Sequence, residues 1–317
     1  MPSLLDPAQK RINFMTEDNP EFAWSVYWAQ DRLHSCIASE NPDDERLLNA
    51  EWEEFAAKLP AAARVLDLAT GNGAVPKALL ATRSDLQIDA VDRAMIDPMK
   101  FLSDGGDLEK VRFHPQTDIL ELPFAAQSFD AITSQFGIEY ATLTRAAPRV
   151  SSLLKPDGKL LFLTHHAESQ LIVASQPKKR ELERLIEPRG LLAVLHEIFS
   201  GNSSLSELEA CGARYLEGKF VKTAAISGQV FEGINRIIEL FERDINQARQ
   251  LASNMDFRVR AEHQRLSQMI ESAQTARSLD ELSVIMDQHG VSIQFEPLYV
   301  ESGQSPYLLC WSIQGQK

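Results

Sequence analysis

The sequence predicts an α/β protein in which a mostly parallel sheet carries helices on both faces, preceded by N-terminal helices and interrupted by a helical insertion. Three observations lead there. From residue 64 to residue 166, short runs rich in Val, Ile and Leu alternate with helical stretches, the pattern of parallel strands joined by crossover helices. Residues 170–275 abandon that alternation and read as helix almost throughout. A strand-like pattern then returns near the end of the chain, after a helix over 278–289 closed by Gly290.

Taken in order, the runs at 64–68, 87–92, 111–115, 131–135 and 159–164 read as strands. Asp130 precedes its strand, so it reads as structural, at the amino end of the sheet and away from where ligands bind. Leu153-Leu154-Lys155-Pro156 followed by Asp157-Gly158 reads as a helix stop and tight turn, because Pro cannot continue a helix and Gly accepts positive φ. That turn places His165 and His166 at a strand's carboxyl end, the ligand side of such sheets. In the insertion, Val230, Phe231, Ile234, Ile237, Ile238, Phe241 and Ile245 share one helical face, to be buried in the insertion itself or offered to a second copy of the chain. Residues 291–295 and 307–313 read as a closing antiparallel pair, with Gly303, Gln304, Ser305 and Pro306 as its loop. The expected organisation is a helical lid or cap over 1–60, a core over 61–169 and 276–317, and a substrate-capping insertion over 170–275. Trp24, Tyr27 and Trp28 lie on one face of the N-terminal region, as core packing or as the inner surface of a lid.

Bulk properties exclude several classes. A chain that is 44% apolar and 24% charged can pack a core. Its net charge of −13 argues against nucleic-acid binding through phosphates. Residues 170–275 hold fourteen Lys and Arg against fourteen Asp and Glu, so the excess negative charge lies elsewhere. Cys36, Cys211 and Cys310 have neither disulfide-framework nor zinc spacing, and no metal site is expected. No apolar run of signal-peptide or membrane-spanning length occurs, which reads as a cytoplasmic protein with no membrane span.

The run Val65-Leu66-Asp67-Leu68-Ala69-Thr70-Gly71-Asn72-Gly73-Ala74-Val75-Pro76 takes a buried strand into a turn of small residues and then into a helix. Small residues let backbone N–H groups approach a ligand, and Asp67 stands at the strand's end. Asp92 ends the second strand, where a carboxylate can accept from ribose hydroxyls. A nicotinamide dinucleotide is disfavoured, because Pro76 stands where the Gly-x-Gly-x-x-Gly pattern counted from Gly71 needs Gly or Ala.

With Asp118-Ile119-Leu120-Glu121-Leu122-Pro123-Phe124 and Ser128-Phe129-Asp130-Ala131-Ile132 following in order, the chain resembles the class I S-adenosylmethionine-dependent methyltransferases. Its Leu-Pro-Phe, Ser-Phe-Asp and Leu-Lys-Pro-Asp-Gly series is similar to the branch that includes the ubiquinone and menaquinone biosynthesis enzymes. The resemblance covers about residues 60–166. It implies a Rossmann-like sheet of seven strands with the last antiparallel, S-adenosylmethionine as cofactor and S-adenosylhomocysteine as product. It implies that Asp67, Ala69, Thr70, Gly71 and Gly73 line the methionine moiety, that Asp92 with Arg93 beside it holds the ribose, and that Asp118 and Ile119 meet the adenine. Gln135 and Phe136 would flank the sulfonium. Ala69 departs from the Gly usual there.

Methyl transfer from a sulfonium needs no acid for its leaving group, so catalysis rests on positioning and on removing a proton from the acceptor. His165 and His166 are candidate bases, and Glu139 and Tyr140 can also hold or deprotonate an acceptor. The chain lacks the Asn-Pro-Pro-Tyr and Pro-Cys segments that resemblance would link to amide or adenine amino groups and to cytosine. The leading expectation is a methyltransferase for a small-molecule acceptor at oxygen, nitrogen or carbon. A protein or peptide methyltransferase, and a non-catalytic module dimerising through the insertion, are the alternatives.

Overall fold

The computed structural model describes residues 19, 21–36, 42–217, 225–301 and 305–317. Gly303 and Gln304 of the expected loop, and residues 1–18 of the N-terminal region, lie outside them. The strands are β1 (Arg64–Leu68), β2 (Gln87–Val91), β3 (Arg112–His114), β4 (Phe129–Gln135), β5 (Leu154–His165), β6 (Ser292–Val300) and β7 (Tyr307–Gln316). They form one seven-stranded sheet in the order β3-β2-β1-β4-β5-β7-β6. β1 to β5 run parallel and β7 runs antiparallel to both β5 and β6. The sheet is Rossmann-like, and its order switches direction on either side of β1, which opens a crevice beyond the carboxyl ends of β1, β2 and β4.

Eleven helices complete the described residues: α1 (Phe22–Trp28), α2 (Pro42–Ala57), α3 (Ala74–Thr82), α4 (Pro98–Phe101), α5 (Leu143–Leu153), α6 (Gln170–Ile186), α7 (Leu191–Phe199), α8 (Leu205–Glu217), α9 (Ala225–Phe241), α10 (Ile245–Ser272) and α11 (Ala276–Gln288). Thr275 and Ser278 form a capping box that starts α11, two residues before the sequence pattern places it. Gly290, at φ 75°, ends it.

β1 and β2 are buried along nearly their whole length, as strands covered on both faces must be, and this makes their apolar runs continuous rather than alternating. Leu66, Leu68, Val91, Phe129, Ile132, Leu160 and Phe162 join Val150, Leu153, Leu279 and Leu282 in one buried cluster. Two strand starts differ from the expectation by more than one residue. β4 starts at Phe129, so Asp130 lies inside the strand, at its amino end, where it accepts from the Arg64 N–H and from Lys155. β5 starts at Leu154, because Leu154 already pairs with Phe129, and the Pro156–Gly158 region becomes an irregularity within the strand rather than a turn before it. Pro297 sits in β6, the edge strand, where a missing N–H is tolerated.

The chain divides into two compact units, one made of residues 1–173 with 268–317 and the other of residues 174–267. The second unit is helical and packs its own apolar stripe. Val230, Ile234 and Ile237 are buried, Phe231 lies against Tyr215, and Phe241 lies against Phe199. The face left open as a dimer interface is thus taken up within the unit, and of the stripe's residues only Ile245, in the next helix, is largely exposed. Among the described residues no helix is long and apolar enough to cross a membrane, and no cluster of three or more His, Cys, Asp or Glu is placed to hold a metal ion.

The turns after β1 and β4 meet at two small residues. Ala69 adopts φ 52°, a left-handed conformation that costs a side-chain-bearing residue about 1–2 kcal/mol. Its methyl lies where Gly137 has no side chain: a Cβ on Gly137 would stand 2.4 Å from that of Ala69. Gly137→Ala is expected to lower unfolding stability by about 1–3 kcal/mol through overpacking, and adding Ala69→Gly to restore most of the loss. Urea unfolding of both variants checks this; an unaltered Gly137→Ala midpoint would show that the two turns are not in register.

Candidate active site

The crevice is built from the ends of β1, β2 and β4. After Leu68 the chain turns through Ala69, Gly71 (φ 54°) and Gly73 (φ 87°) into α3, with Pro76 in its first turn. Asp92 follows β2 and binds this turn: its Oδ2 accepts from the Gly71 N–H at 2.8 Å, and its Oδ1 accepts from the Ala94 N–H at 2.7 Å. Burial pushes the Asp92 carboxyl up to about 6 against the pull of those two donors. Asp67 pairs in register with Thr133 of β4, whose hydroxyl donates to its Oδ1 at 2.7 Å. Burial pushes the Asp67 carboxyl up to about 7, and nearby Asp92 adds to the rise.

A cavity of about 690 Å³ opens beyond these strand ends, within the size range of small-ligand sites. Of the residues singled out in the sequence, Ala69, Asp92, Arg93, Asp118, Ile119, Phe136, Glu139 and Tyr140, with Trp24 and Trp28, line it, whereas Gly71 and Gly73 do not. A separate recess of about 20 Å³ is lined by Asp67, Ala69, Thr70 and Gln135. Trp28 borders both spaces and covers the turn, so that a Cβ on Gly71 would fall 2.3 Å from its indole ring. The side-chain amide of Asn72 holds the cover down, donating to the carbonyls of Trp28 at 3.0 Å and Arg32 at 2.8 Å. Trp24 stacks on Trp28 at 6.3 Å and meets Tyr140 edge-on at 5.2 Å, so the aromatic face of α1 is a wall of the cavity.

Asp118 does two things. Its Oδ1 accepts from the Leu120 N–H at 2.9 Å, capping a short 3₁₀ turn, and its Oδ2 lies 3.9 Å from Arg93 Nε at the cavity edge. Gln135 accepts from the Trp52 indole N–H at 2.7 Å. Phe136 is held at φ 52°, donates its N–H to the Leu163 carbonyl at 2.7 Å and stacks on His165 with ring centres 4.7 Å apart.

His165 is fully buried and is not on the cavity wall; its Nε2 is 3.2 Å from the Tyr140 hydroxyl, which lies between it and the cavity. His166 is stacked on Trp311 at 4.3 Å, accepts the Glu168 N–H at Nδ1 and is also off the wall; burial lowers its pKa. Glu139 is on the wall, with its Oε1 accepting from the His165 N–H at 2.9 Å, and burial pushes its carboxyl up to about 7. The clamp by Asn72 and the wall formed by Gln268, Glu271 and Gln274 were not singled out from the sequence. Asn72 stands inside the glycine motif but its partners are some forty residues away, and the wall comes from the last turns of a helix and the two residues after it, whose orientation no local pattern reveals.

Residues 65–158 match the family described as "Methyltransferase domain". No curated protein matches the sequence. Among solved structures, the chain is similar to a putative sarcosine dimethylglycine methyltransferase from Galdieria sulphuraria, at 16% identity over 95% of this chain and 98% of that one, with a TM-score of 0.40. It is similar to an S-adenosylmethionine-dependent methyltransferase from Mesorhizobium loti at 23% identity, over 37% of this chain and 54% of that one, TM-score 0.31. It is also similar to the 1,6-didemethyltoxoflavin-N1-methyltransferase of Burkholderia thailandensis at 20% identity, over 39% and 52% of the two chains, TM-score 0.31. The chain spans between about half and two thirds of the length of several of the structures it matches. The chain thus carries a methyltransferase domain over residues 65–158, set on a sheet of this order with its antiparallel β7.

Proposed function

We propose that the chain transfers the methyl group of S-adenosylmethionine to a small-molecule acceptor. One observation carries this reading: a single cavity is lined by Ala69 of the β1 turn, Asp92 and Asp118 and also by Glu139, Tyr140 and Gln274, so donor and acceptor can lie side by side in it. In this reading Asp92 and Arg93 hold the ribose, Asp118 and Ile119 meet the adenine, and Gln135 and Phe136 flank the sulfur. The methionine end enters beside Asp67, Ala69, Thr70, Gly71 and Gly73. The residues fit a cationic nucleoside ligand, because Asp67 and Asp92 are buried carboxyls that a neighbouring positive charge returns to their charged form.

The bound group supplies an electrophilic methyl. The protein's residues orient it, exclude water and accept a proton from the acceptor. Tyr140 and Glu139 are the groups that can touch an acceptor, and His165 acts as a positioning residue through the Tyr140 hydroxyl. His166, packed against Trp311, is left without a catalytic role in this reading.

Incubating the purified protein with metabolite extract and with lysate protein, each with methyl-labelled S-adenosylmethionine, tests the reading. Label is expected in small molecules; label confined to protein would favour the peptide alternative and overturn the small-molecule assignment.

The methionine end also requires Trp28 to leave Gly71, since the indole covers that turn. Trp28→Ala is therefore expected to raise the association rate of S-adenosylhomocysteine by about 3–10-fold, because a site competent only in a minor conformer binds in proportion to that conformer's population. Stopped-flow fluorescence of the remaining tryptophans measures it; an unchanged or slower rate would contradict the requirement.

A further inference from the structure

The cavity carries six carboxyl side chains, Glu21, Asp92, Asp118, Glu139, Glu271 and Glu281, against the two cations Arg93 and Arg145. Its aromatic residues are Trp24, Trp28, Phe136 and Tyr140. Aromatic faces and carboxylates both attract a cation and both disfavour an anion. Glu139 adds a second, independent feature. It is only 3% exposed; Oε1 is occupied by the His165 N–H, whereas Oε2 has no hydrogen-bond partner among the described residues. A buried acceptor atom left unsatisfied is costly, and a donor from the cavity removes the cost.

We propose that the acceptor is a small amine that docks its N–H group on Glu139 beside the paired rings of Trp24 and Tyr140, and that Glu139 takes the proton released on N-methylation. This rests on the methyltransferase reading above. In the step, the lone pair of the neutral nitrogen forms the new carbon–nitrogen bond while the methyl carbon–sulfur bond breaks with its pair remaining on sulfur. The proton lost from nitrogen goes to the Glu139 carboxylate and from there to water. An alcohol acceptor fits less well, because building negative charge on oxygen beside these carboxylates is disfavoured.

Among the described titratable residues, Tyr140 is the next residue in the same 3₁₀ turn as Glu139, and His165 of β5 donates its backbone N–H to Glu139 while its ring meets the Tyr140 hydroxyl. Cys310 comes from β7, with its thiol pushed up by burial and by Glu51, Glu139 and Asp44. The Glu139 carboxyl, raised to about 7 by burial, is neutral below that pH and charged above it, so cation affinity falls as pH falls through it.

The test uses choline, whose charge does not titrate, and its uncharged isostere 3,3-dimethyl-1-butanol, added by calorimetry to the full chain holding S-adenosylhomocysteine. Choline is expected to bind at least about tenfold more tightly than the alcohol at pH 8, and to lose about tenfold between pH 8 and pH 6, one proton's worth of coupling. Glu139→Gln is expected to remove the preference and reduce the pH slope, with S-adenosylhomocysteine affinity held within about threefold. If Glu139→Gln unfolds by circular dichroism, Trp24→Leu serves instead, with choline affinity expected to fall about fivefold and that of the alcohol to stay. Equal binding of the two probes, or a charge preference that survives these variants, would overturn the amine assignment alone. Failure of the wild-type chain to bind S-adenosylhomocysteine would overturn the methyltransferase reading and this inference with it.

Discussion

The carboxylate of Asp92 ties the end of β2 to the turn after β1, and the rest of the site depends on that tie. One oxygen accepts from Gly71 and the other from Ala94, so a single side chain sets the spacing between two backbone segments that neighbouring parallel strands deliver to the same edge. Charge-assisted bonds of this kind are about twice as strong as neutral ones, but the group is buried and its carboxyl is raised to about 6. The tie is therefore weakest when the proton is on and strongest beside a positive ligand, which couples the geometry of the turn to occupancy of the crevice.

Backbone strain collects at the same place. Ala69 and Phe136 both sit at positive φ although neither is glycine, and they end adjacent strands. Residues in such conformations persist only where their surroundings over-determine them. Here the Ala69 methyl fills the space above Gly137, and the Phe136 ring is pinned on His165 while its N–H is bonded to Leu163. His165 thus supports the wall from behind rather than reaching into the cavity. Glu139 binds the backbone of the same histidine, so this wall of the cavity and its support form one unit.

The sheet was legible in the sequence because parallel strands covered on both faces leave continuous apolar runs, and because Asp67 stands one residue before the end of β1 and Asp92 one residue after β2. The small-residue turn was legible for the same reason that it works, since only such residues allow this bend. What local pattern could not convey was long-range packing. The indole of Trp28 lies on Gly71 across more than forty residues of chain, and the aromatic face of α1 announces burial without naming its partner. The strand pattern likewise puts His165 at the end of β5 and His166 just beyond it but does not say which layers cover them, and both prove to be packed against aromatic rings. The start of β5 was misplaced because pairing of Leu154 with Phe129 outweighs the turn chemistry of Pro156 and Gly158.

The central claim is that a nucleoside thioether seats where Asp92 meets the β1 turn. Isothermal titration of S-adenosylhomocysteine into the wild-type chain and Asp92→Asn tests it most directly, with circular dichroism confirming that both are folded. Binding by the wild type, weakened about 10–100-fold by the substitution through loss of one or two charge-assisted bonds, is the predicted result. No binding by the wild type, or equal binding by both, would contradict the account.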